Sequence, residues 1–323
     1  MKINVFSGSF PLAAGILVFG SACAQGFPTR PVRVIVPTSP GGVIDIVTRI
    51  VGAKVPELMG QGVVIENRAG ASTNLGTEIA AGSPADGYTM VSVTLPFVVN
   101  PSLFPKLAFD PRKDFAPVSR LTAAPYVLVV NPALPAKSVK ELIALGKAKP
   151  GDLIYSSGGN GTNLHVAAEL FNLTAGIRMT HVAYKGGGPA LTSVIAGETM
   201  ASFPSLPAIL PHVKSGRLRA LGITDRKRST LLPDVPTIAE SGVKGYEFTS
   251  WVGLLVPAKT PPEIVSALNG WWVKATRSPE VMERFASEGT EVIAGTSAEF
   301  AQVIETELAR WAKVVKQAGI RAD

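Results

Sequence analysis

Residues 30–50 read RPVRVIVPTSPGGVIDIVTRI. Val32-Arg33-Val34-Ile35-Val36 is a short β-branched run stopped by Pro37, and Ile44, Val47, Ile50 and Val51 then recur at helical spacing. Gly41-Gly42 stands between the two. The stretch predicts a strand, a glycine turn and a helix, which is the opening unit of an α/β protein. Residues 153–171, LIYSSGGNGTNLHVAAELF, follow the same plan of strand, small polar residues, paired glycines and helix. No fixed-period repeat accompanies them, so two similar lobes are a more natural reading than a solenoid.

Outward from these units, strand-like and helix-like segments alternate. Val63–Ile65 and Tyr88–Val93 are strands, the second preceded by the turn Pro84-Ala85-Asp86-Gly87. This alternation suggests βαβ units in a mainly parallel sheet. Near Pro125 a second lobe begins with the apolar strand Tyr126–Val130. The helix Ser138–Lys149 and the strands Leu218–Ile223 and Trp251–Val256 follow. The C-terminal third is mostly helical. Thr260-Pro261-Pro262-Glu263 and Thr296…Glu299 both carry capping-box spacing. Phe300, Val303, Ile304, Leu308, Trp311 and Val315 share one helical face, which Gly319 terminates. These aromatics, with Trp271-Trp272, are expected in the core.

The N-terminus carries one charge, Lys2, before Arg30, and Pro11–Cys23 is apolar or small throughout. With the small-x-small site Ala22-Cys23-Ala24, this reads as a secretory signal peptide over residues 1–24, cleaved after Ala24. The apolar stretch is shorter than the about 20 residues a spanning helix needs. A retained anchor and lipidation at Cys23 are the alternatives. Cys23 is the chain's one cysteine. Cleavage would leave a mature protein without disulfide, thiol nucleophile or thiolate ligand, dependent on its core. Roughly 300 residues suffice for such a core, usually in two domains. The formal charge is +7, a weak preference for anionic partners. The basic residues form no aromatic-interleaved stripe, and Arg226-Lys227-Arg228 reads as a solvated loop, so nucleic-acid binding has no support.

The two glycine turns carry the chemistry. The first four N–H groups of a helix lack internal partners, and the helix dipole adds positive potential there, so an anion suits the site. Gly41-Gly42 and Gly158-Gly159-Asn160-Gly161 would let a ligand approach, and Ser39, Ser156, Ser157 and Thr162 add hydroxyls. A hydrogen bond to a charged group is worth about 1.5–3 kcal/mol. Three or four would supply the about 8 kcal/mol of micromolar binding without a basic side chain. A purely structural role for each loop stays open. Neither loop matches a nucleotide-binding fingerprint. The catalytic inventory is thin: His165, His181 and His212 are the histidines, with no H-E-x-x-H and no G-x-S-x-G. No cofactor or metal is implied. His165 and Glu169, four apart, read as a local hydrogen bond ahead of an acid–base pair. Asp45 reads as a residue that caps and orients its loop, or holds a water or a ligand ammonium.

At this point the chain resembles a known family. RPVRVIVPTSPGGVIDIVTRI, VIENRAGASTNLGTEIAAGSPADGYTM, KDFAPVS, YSSGGNGTNLHVAAELF, THVAYKGGGPAL, LPDVPTIAESGVKGYEFTSWVGLLVPAKTP and ELARWAKVVKQAGI are similar, in order, to the substrate-binding proteins of tripartite tricarboxylate transporters, the Bug family. The resemblance implies an α/β, two-lobed periplasmic binding-protein fold with a ligand cleft between the lobes. It divides the chain into lobe 1, residues 25–124 plus 248–323, and lobe 2, residues 125–247. It implies a small organic carboxylate ligand and membrane transporter subunits as partners; a monomer is expected, and the thin catalytic inventory predicts no enzymatic activity. The segments matching the family's ligand loops are Thr38 to Asp45, with Ser39, Pro40, Gly41 and Gly42, and Ser156 to His165, with Ser157, Gly158, Asn160, Gly161 and Thr162. The far end of the cleft is expected near Thr94, Phe97, Tyr184 and Phe203. The chain departs from the family pattern at Thr38, where an aromatic residue is common, at Ser72-Thr73 in place of paired glycines, and at Ala183 in place of proline. It also lacks an acidic residue over Met200–Phe203. A sensor subunit that docks a membrane receptor, and an exported hydrolase using Asp45 or the His165–Glu169 pair, are the other readings.

Overall fold

A computed structural model describes residues 26–320 of the chain. The expected signal peptide, with Cys23, lies outside the described residues. The chain opens with β1 (Val32–Val36), α1 (Val43–Gly52), α2 (Val55–Met59) and β2 (Val63–Asn67). A 3-10 turn (Ala71–Thr73) leads into α3 (Asn74–Ala81), β3 (Thr89–Val93), α4 (Pro96–Leu103) and β4 (Phe115–Pro125). Then come β5 (Val127–Val130), α5 (Val139–Ala148), β6 (Ile154–Ser157), α6 (Asn163–Ala175) and β7 (Thr180–Ala183). They are followed by α7 (Gly187–Ala196), β8 (Ala201–Ser202), α8 (Leu206–Lys214) and β9 (Arg219–Ile223). The chain ends with β10 (Thr249–Pro257), α9 (Pro262–Thr276), α10 (Pro279–Ser287), β11 (Glu291–Val292) and α11 (Ser297–Ala318).

The strands form two sheets, ordered β11-β4-β10-β3-β1-β2 and β7-β6-β8-β5-β9, one to each lobe. The chain passes between the sheets twice, from β4 to β5 and from β9 to β10. Both sheets are mixed, which corrects the expectation of mainly parallel pairing. β1 runs parallel to β2 and β3, and β6 parallel to β7 and β8. β10 is antiparallel to β3 and β4, and β5 is antiparallel to β8 and β9. The antiparallel strands are those adjoining the two crossings. Periodicity along one strand carries no information about that direction.

Strand alternation sorts the first lobe's core. Val32, Val34, Val36, Val252, Leu254 and Val256 face one layer with Trp272 and Phe285. Ile35, Val91, Val93, Trp251 and Leu255 face the other, against Phe300, Ile304 and Trp311 of α11. That second layer continues into the other lobe through Phe248, 5.2 Å from Tyr126 and 5.9 Å from Trp311 between ring centroids. Thus α11 backs both lobes along one side, and the cleft opens elsewhere. The α11 start has the capping box read from sequence, with Thr296 accepting from the Glu299 N–H and Glu299 from the Thr296 N–H. The similar spacing at Thr260 does not cap α9. Pro261 is the N-cap there, and Thr260 Oγ1 donates to the Pro257 carbonyl at 2.7 Å. The basic triplet is a surface loop in which Arg226 pairs with Glu247 and Arg228 with Glu240.

Candidate functional site

β1 ends at Pro37 and the chain turns through Thr38–Gly42 into α1. Gly41 takes a left-handed conformation, φ +84°, and its N–H donates to Asp45 Oδ2 at 2.9 Å. Asp45 is buried, and its Oδ1 accepts from Arg49 Nε and Asn67 Nδ2, both at 2.9 Å. Asn67 Nδ2 also donates to the Thr38 carbonyl at 3.0 Å. Burial alone would raise the Asp45 pKa. The hydrogen bonds from Arg49, the Gly41 amide and Asn67 outweigh it and hold the carboxyl below its usual range.

The second loop repeats this device 120 residues later. Gly161 is also left-handed, φ +75°, and its N–H donates to His165 Nδ1 at 3.1 Å, again four residues on in the first turn of the helix. His165 must therefore be the neutral tautomer with its proton on Nε2. Its ring stacks on His181 at 4.2 Å, and Tyr155 lies 4.9 Å from His181 on the same stack. Burial, with the neighbouring His181, pushes the His165 pKa down to about 3. Glu169 accepts from Tyr155 Oη at 2.6 Å and from Asn172 Nδ2 at 3.1 Å. The expected His165–Glu169 hydrogen bond is replaced by these, because each side chain meets a nearer partner on its own side of α6. Ser157 Oγ lies 2.6 Å from His181 Nε2, the spacing of a nucleophile and its base. Ser157 is fully buried, however, and its oxygen accepts from the Gly159 N–H at 3.1 Å, so the pair braces the loop.

A pH effect follows from His165. The unfolded chain binds a proton at this residue below its ordinary value near 6.5, and the folded chain only below about 3. Stability at His165 is therefore complete above about 6.5 and is lost as pH falls towards 3. Protonation of Nδ1 would also eject the Gly161 N–H. The midpoint of thermal unfolding is expected to fall faster between pH 6.5 and 4 in the natural protein than in His165→Gln, which keeps an acceptor without a titration. Equal slopes would remove His165 as the cause.

Between the lobes lies a cleft of about 330 Å³. The first lobe contributes Thr38, Gly41, Gly42, Val43, Ile44, Thr73, Thr94 and Pro96. The second contributes Thr162, Asn163, Leu164, Gly187, Gly188, Leu191, Pro204, Ser205 and Ala208, with Tyr126 at the crossing. None of these side chains is charged. α1, α4, α6 and α7 each place their first residue on the wall, and α8 places its N-cap Ser205 there. Buried Thr38 Oγ1 and Asn163 Oδ1 have no hydrogen-bond partner. Leaving each such atom unpaired costs about 1–3 kcal/mol, a deficit that a polar ligand or water would offset. Asn163 Nδ2 donates to Tyr126 Oη at 2.7 Å and Ser250 Oγ at 2.9 Å. Ser250 Oγ also bonds Thr94 Oγ1 at 2.9 Å, and Thr94 donates to the Trp251 carbonyl at 2.6 Å. This chain of bonds ties one lobe's wall to the other's through the crossing. Burial pushes the Tyr126 phenol up, so it stays a neutral hydroxyl.

Of the residues expected from sequence, Thr38, Gly41, Gly42, Thr94 and Thr162 stand on the cleft wall. Asp45, Gly161 and His165 lie behind it and hold the loops. Ser156 is buried and donates to the Ala190 carbonyl at 2.8 Å. Gly158 packs against the Gly186–Gly187 backbone, 3.0 Å from where a Cβ would stand. Asn160 contributes its carbonyl to a bond from Ser72. Ser39 and Pro40 are exposed outside the wall. Tyr184 Oη donates to Glu198 Oε2 at 3.3 Å, and its side chain is no part of the wall. Phe203 and Phe97 are core residues, the first packed on Phe171 and the second between Phe109 and Phe115. Their apolar rings gain more from those layers than from a polar cleft. Sequence reading passed over Thr73, Tyr126, Asn163 and the third glycine loop. Gly186-Gly187-Gly188-Pro189 was the legible signal for that loop, a glycine turn with proline in the first helical turn. Among the described residues no cluster of metal-ligating side chains occurs, and no helix is long and apolar enough to cross a membrane.

Known proteins share this fold. Residues 47–320 match the model of the tripartite tricarboxylate transporter family receptor. Protein BugT of Bordetella pertussis is 38% identical over 97% of this chain and 96% of its own length. The structure of R. palustris Rpa4515 with adipate is 36% identical, with a TM-score of 0.85 over 91% of this chain and 99% of that one. MatC from Rhodopseudomonas palustris with bound malate is 32% identical, with a TM-score of 0.83 over 90% of this chain and all of that one. With its paired loops, two mixed sheets and intervening cleft, this chain belongs to the tripartite tricarboxylate transporter receptor family.

Proposed function

We propose that this protein is an extracytoplasmic solute-binding protein that captures a small organic carboxylate between its lobes and delivers it to a tripartite tricarboxylate-type membrane transporter. One observation carries this reading. Several helix starts converge on a cleft that has unpartnered polar atoms and no charged side chain. Free amides and helix dipoles there offer an anion charge-assisted hydrogen bonds without a competing counter-ion. The relatives with adipate and malate supply the chemical class. The lobes, residues 25–124 with 248–323 and residues 125–247, would close by bending at the two crossings. The protein acts in the periplasm as a monomer after cleavage at Ala24, and it binds rather than transforms its ligand.

Mass spectrometry of small molecules released from freshly purified protein tests this. A carboxylic acid small enough for the cleft is the expected result, recovered chemically unchanged after prolonged incubation with the protein. Conversion of that acid would establish an enzyme instead. Absence of any acid, together with no thermal response to a panel of mono-, di- and tricarboxylates, would overturn the reading.

A further inference from the structure

Three consecutive residues other than glycine, Ala71, Ser72 and Thr73, have left-handed backbones, with φ of 46°, 51° and 78°. An L residue placed there brings its Cβ against a carbonyl oxygen, and a β-branched residue such as Thr73 suffers most. Such a run persists only where the surroundings hold it. Here Asn100 Nδ2 donates to the Ser72 carbonyl at 2.7 Å and to Asn74 Oδ1 at 2.8 Å, and Thr77 Oγ1 donates to the Thr73 carbonyl at 2.9 Å. The strained turn puts two hydroxyls to use. Ser72 Oγ crosses to the other lobe and donates to the Asn160 carbonyl at 2.9 Å, next to the Gly161 amide that His165 holds. Thr73 stands on the cleft wall, and its hydroxyl has no hydrogen-bond partner among the described residues.

We propose that Thr73 contacts the bound solute directly and sets specificity, and that Ser72 is a positioning residue that fastens the second lobe's ligand loop to the first. The Thr73 assignment rests on the carboxylate-binding reading, whereas the Ser72 assignment does not. A turn kept only for folding would carry glycine at these angles without loss. A turn kept for its side chains must retain them in spite of the angles.

The two roles give opposite signs for one substitution. In Thr73→Gly the unfolding midpoint of ligand-free protein is expected to rise or hold. Calorimetric affinity for whichever of adipate and malate binds the natural protein is expected to fall about tenfold, the worth of one hydrogen bond to a charged group. Thr73→Ser, which keeps the hydroxyl, should recover most of that loss. Unchanged affinity, or a midpoint that drops in Thr73→Gly, would overturn the assignment. For Ser72, hydrogen exchange of ligand-free Ser72→Ala is the test. Loss of the bond should raise exchange at the Gly161 and Thr162 amides about fivefold, and unchanged exchange would overturn the latch. If neither acid binds the natural protein and no other carboxylate does, the carboxylate reading fails and Thr73 fails with it. The exchange result still decides Ser72.

Discussion

Replacing Gly161 by alanine is expected to weaken solute binding about a hundredfold while leaving the protein folded. Two costs arise. At φ +75° a Cβ is strained wherever it points, by about 1–2 kcal/mol. This Cβ would also stand 3.0 Å from Leu103 Cδ1 and 3.1 Å from Asn100 Oδ1, both on α4 of the opposite lobe. The strain destabilises the free and bound states alike, so the affinity loss comes from the second cost, which is greatest when the lobes close on the ligand. A cost near 2.7 kcal/mol there corresponds to the hundredfold loss. Gly176 is the control. It is also left-handed, φ +64°, at the end of α6, with nothing within 4 Å of its added Cβ. Gly176→Ala should lose a similar increment of stability and no affinity. Calorimetric titration and thermal unfolding of both variants separate strain from obstruction. Equal affinity loss in the two would mean that contact between the lobes is irrelevant to binding.

Asp45→Ala is expected to have the largest effect on stability. The buried carboxylate gathers the Gly41 amide, Arg49 and Asn67, and alanine leaves all of them short of an acceptor. Arg49 is half exposed and turns to water, so the loss falls mainly on the Gly41 amide and Asn67 and costs about 2 kcal/mol. At about 2–4 °C per kcal/mol for a chain of this size class, the midpoint should fall by about 4–8 °C. Binding should weaken at least tenfold as well, because the Thr38–Gly42 turn loses its anchor. Asp45→Asn keeps one acceptor oxygen and should lie between the two. The acid limb has its own sign. The folded carboxyl titrates below its ordinary value, so its stabilisation is complete above about pH 4 and is lost as pH falls further. A shift in Asp45→Ala of less than about 2 °C, measured by thermal unfolding, would show that the loop holds itself.

Much of this was legible in the chain because the signals were local. The run Val32–Val36, the glycine pairs and the α11 capping box each depend on neighbours a few residues away. The match between residues 41–45 and 161–165 extends to hydrogen bonds, with Asp45 and His165 performing one task through different chemistry. What was not legible depends on elements that meet only after folding. Asn163 and Tyr126 come to line the cleft because Ser250 and Thr94 arrive from distant strands. Phe203 was expected in the cleft, yet Phe171 claims it for the core. His165 and Glu169 have helical spacing, but Tyr155 and the Gly161 amide offer each a shorter partner. The left-handed Ala71–Thr73 turn carries no glycine that would announce it.

With no basic side chain on the wall, the solute's carboxylate is expected to be held by amides at helix starts. Calorimetric titration of ligand-stripped protein with the acid recovered from it, and with the matching primary carboxamide, tests this most directly. Trading the carboxylate for a carboxamide removes the charge that strengthens each of those bonds and puts N–H donors where acceptors are required. The acid is expected to bind and the carboxamide to bind about a hundredfold more weakly. Equal affinity for the two would contradict the claim.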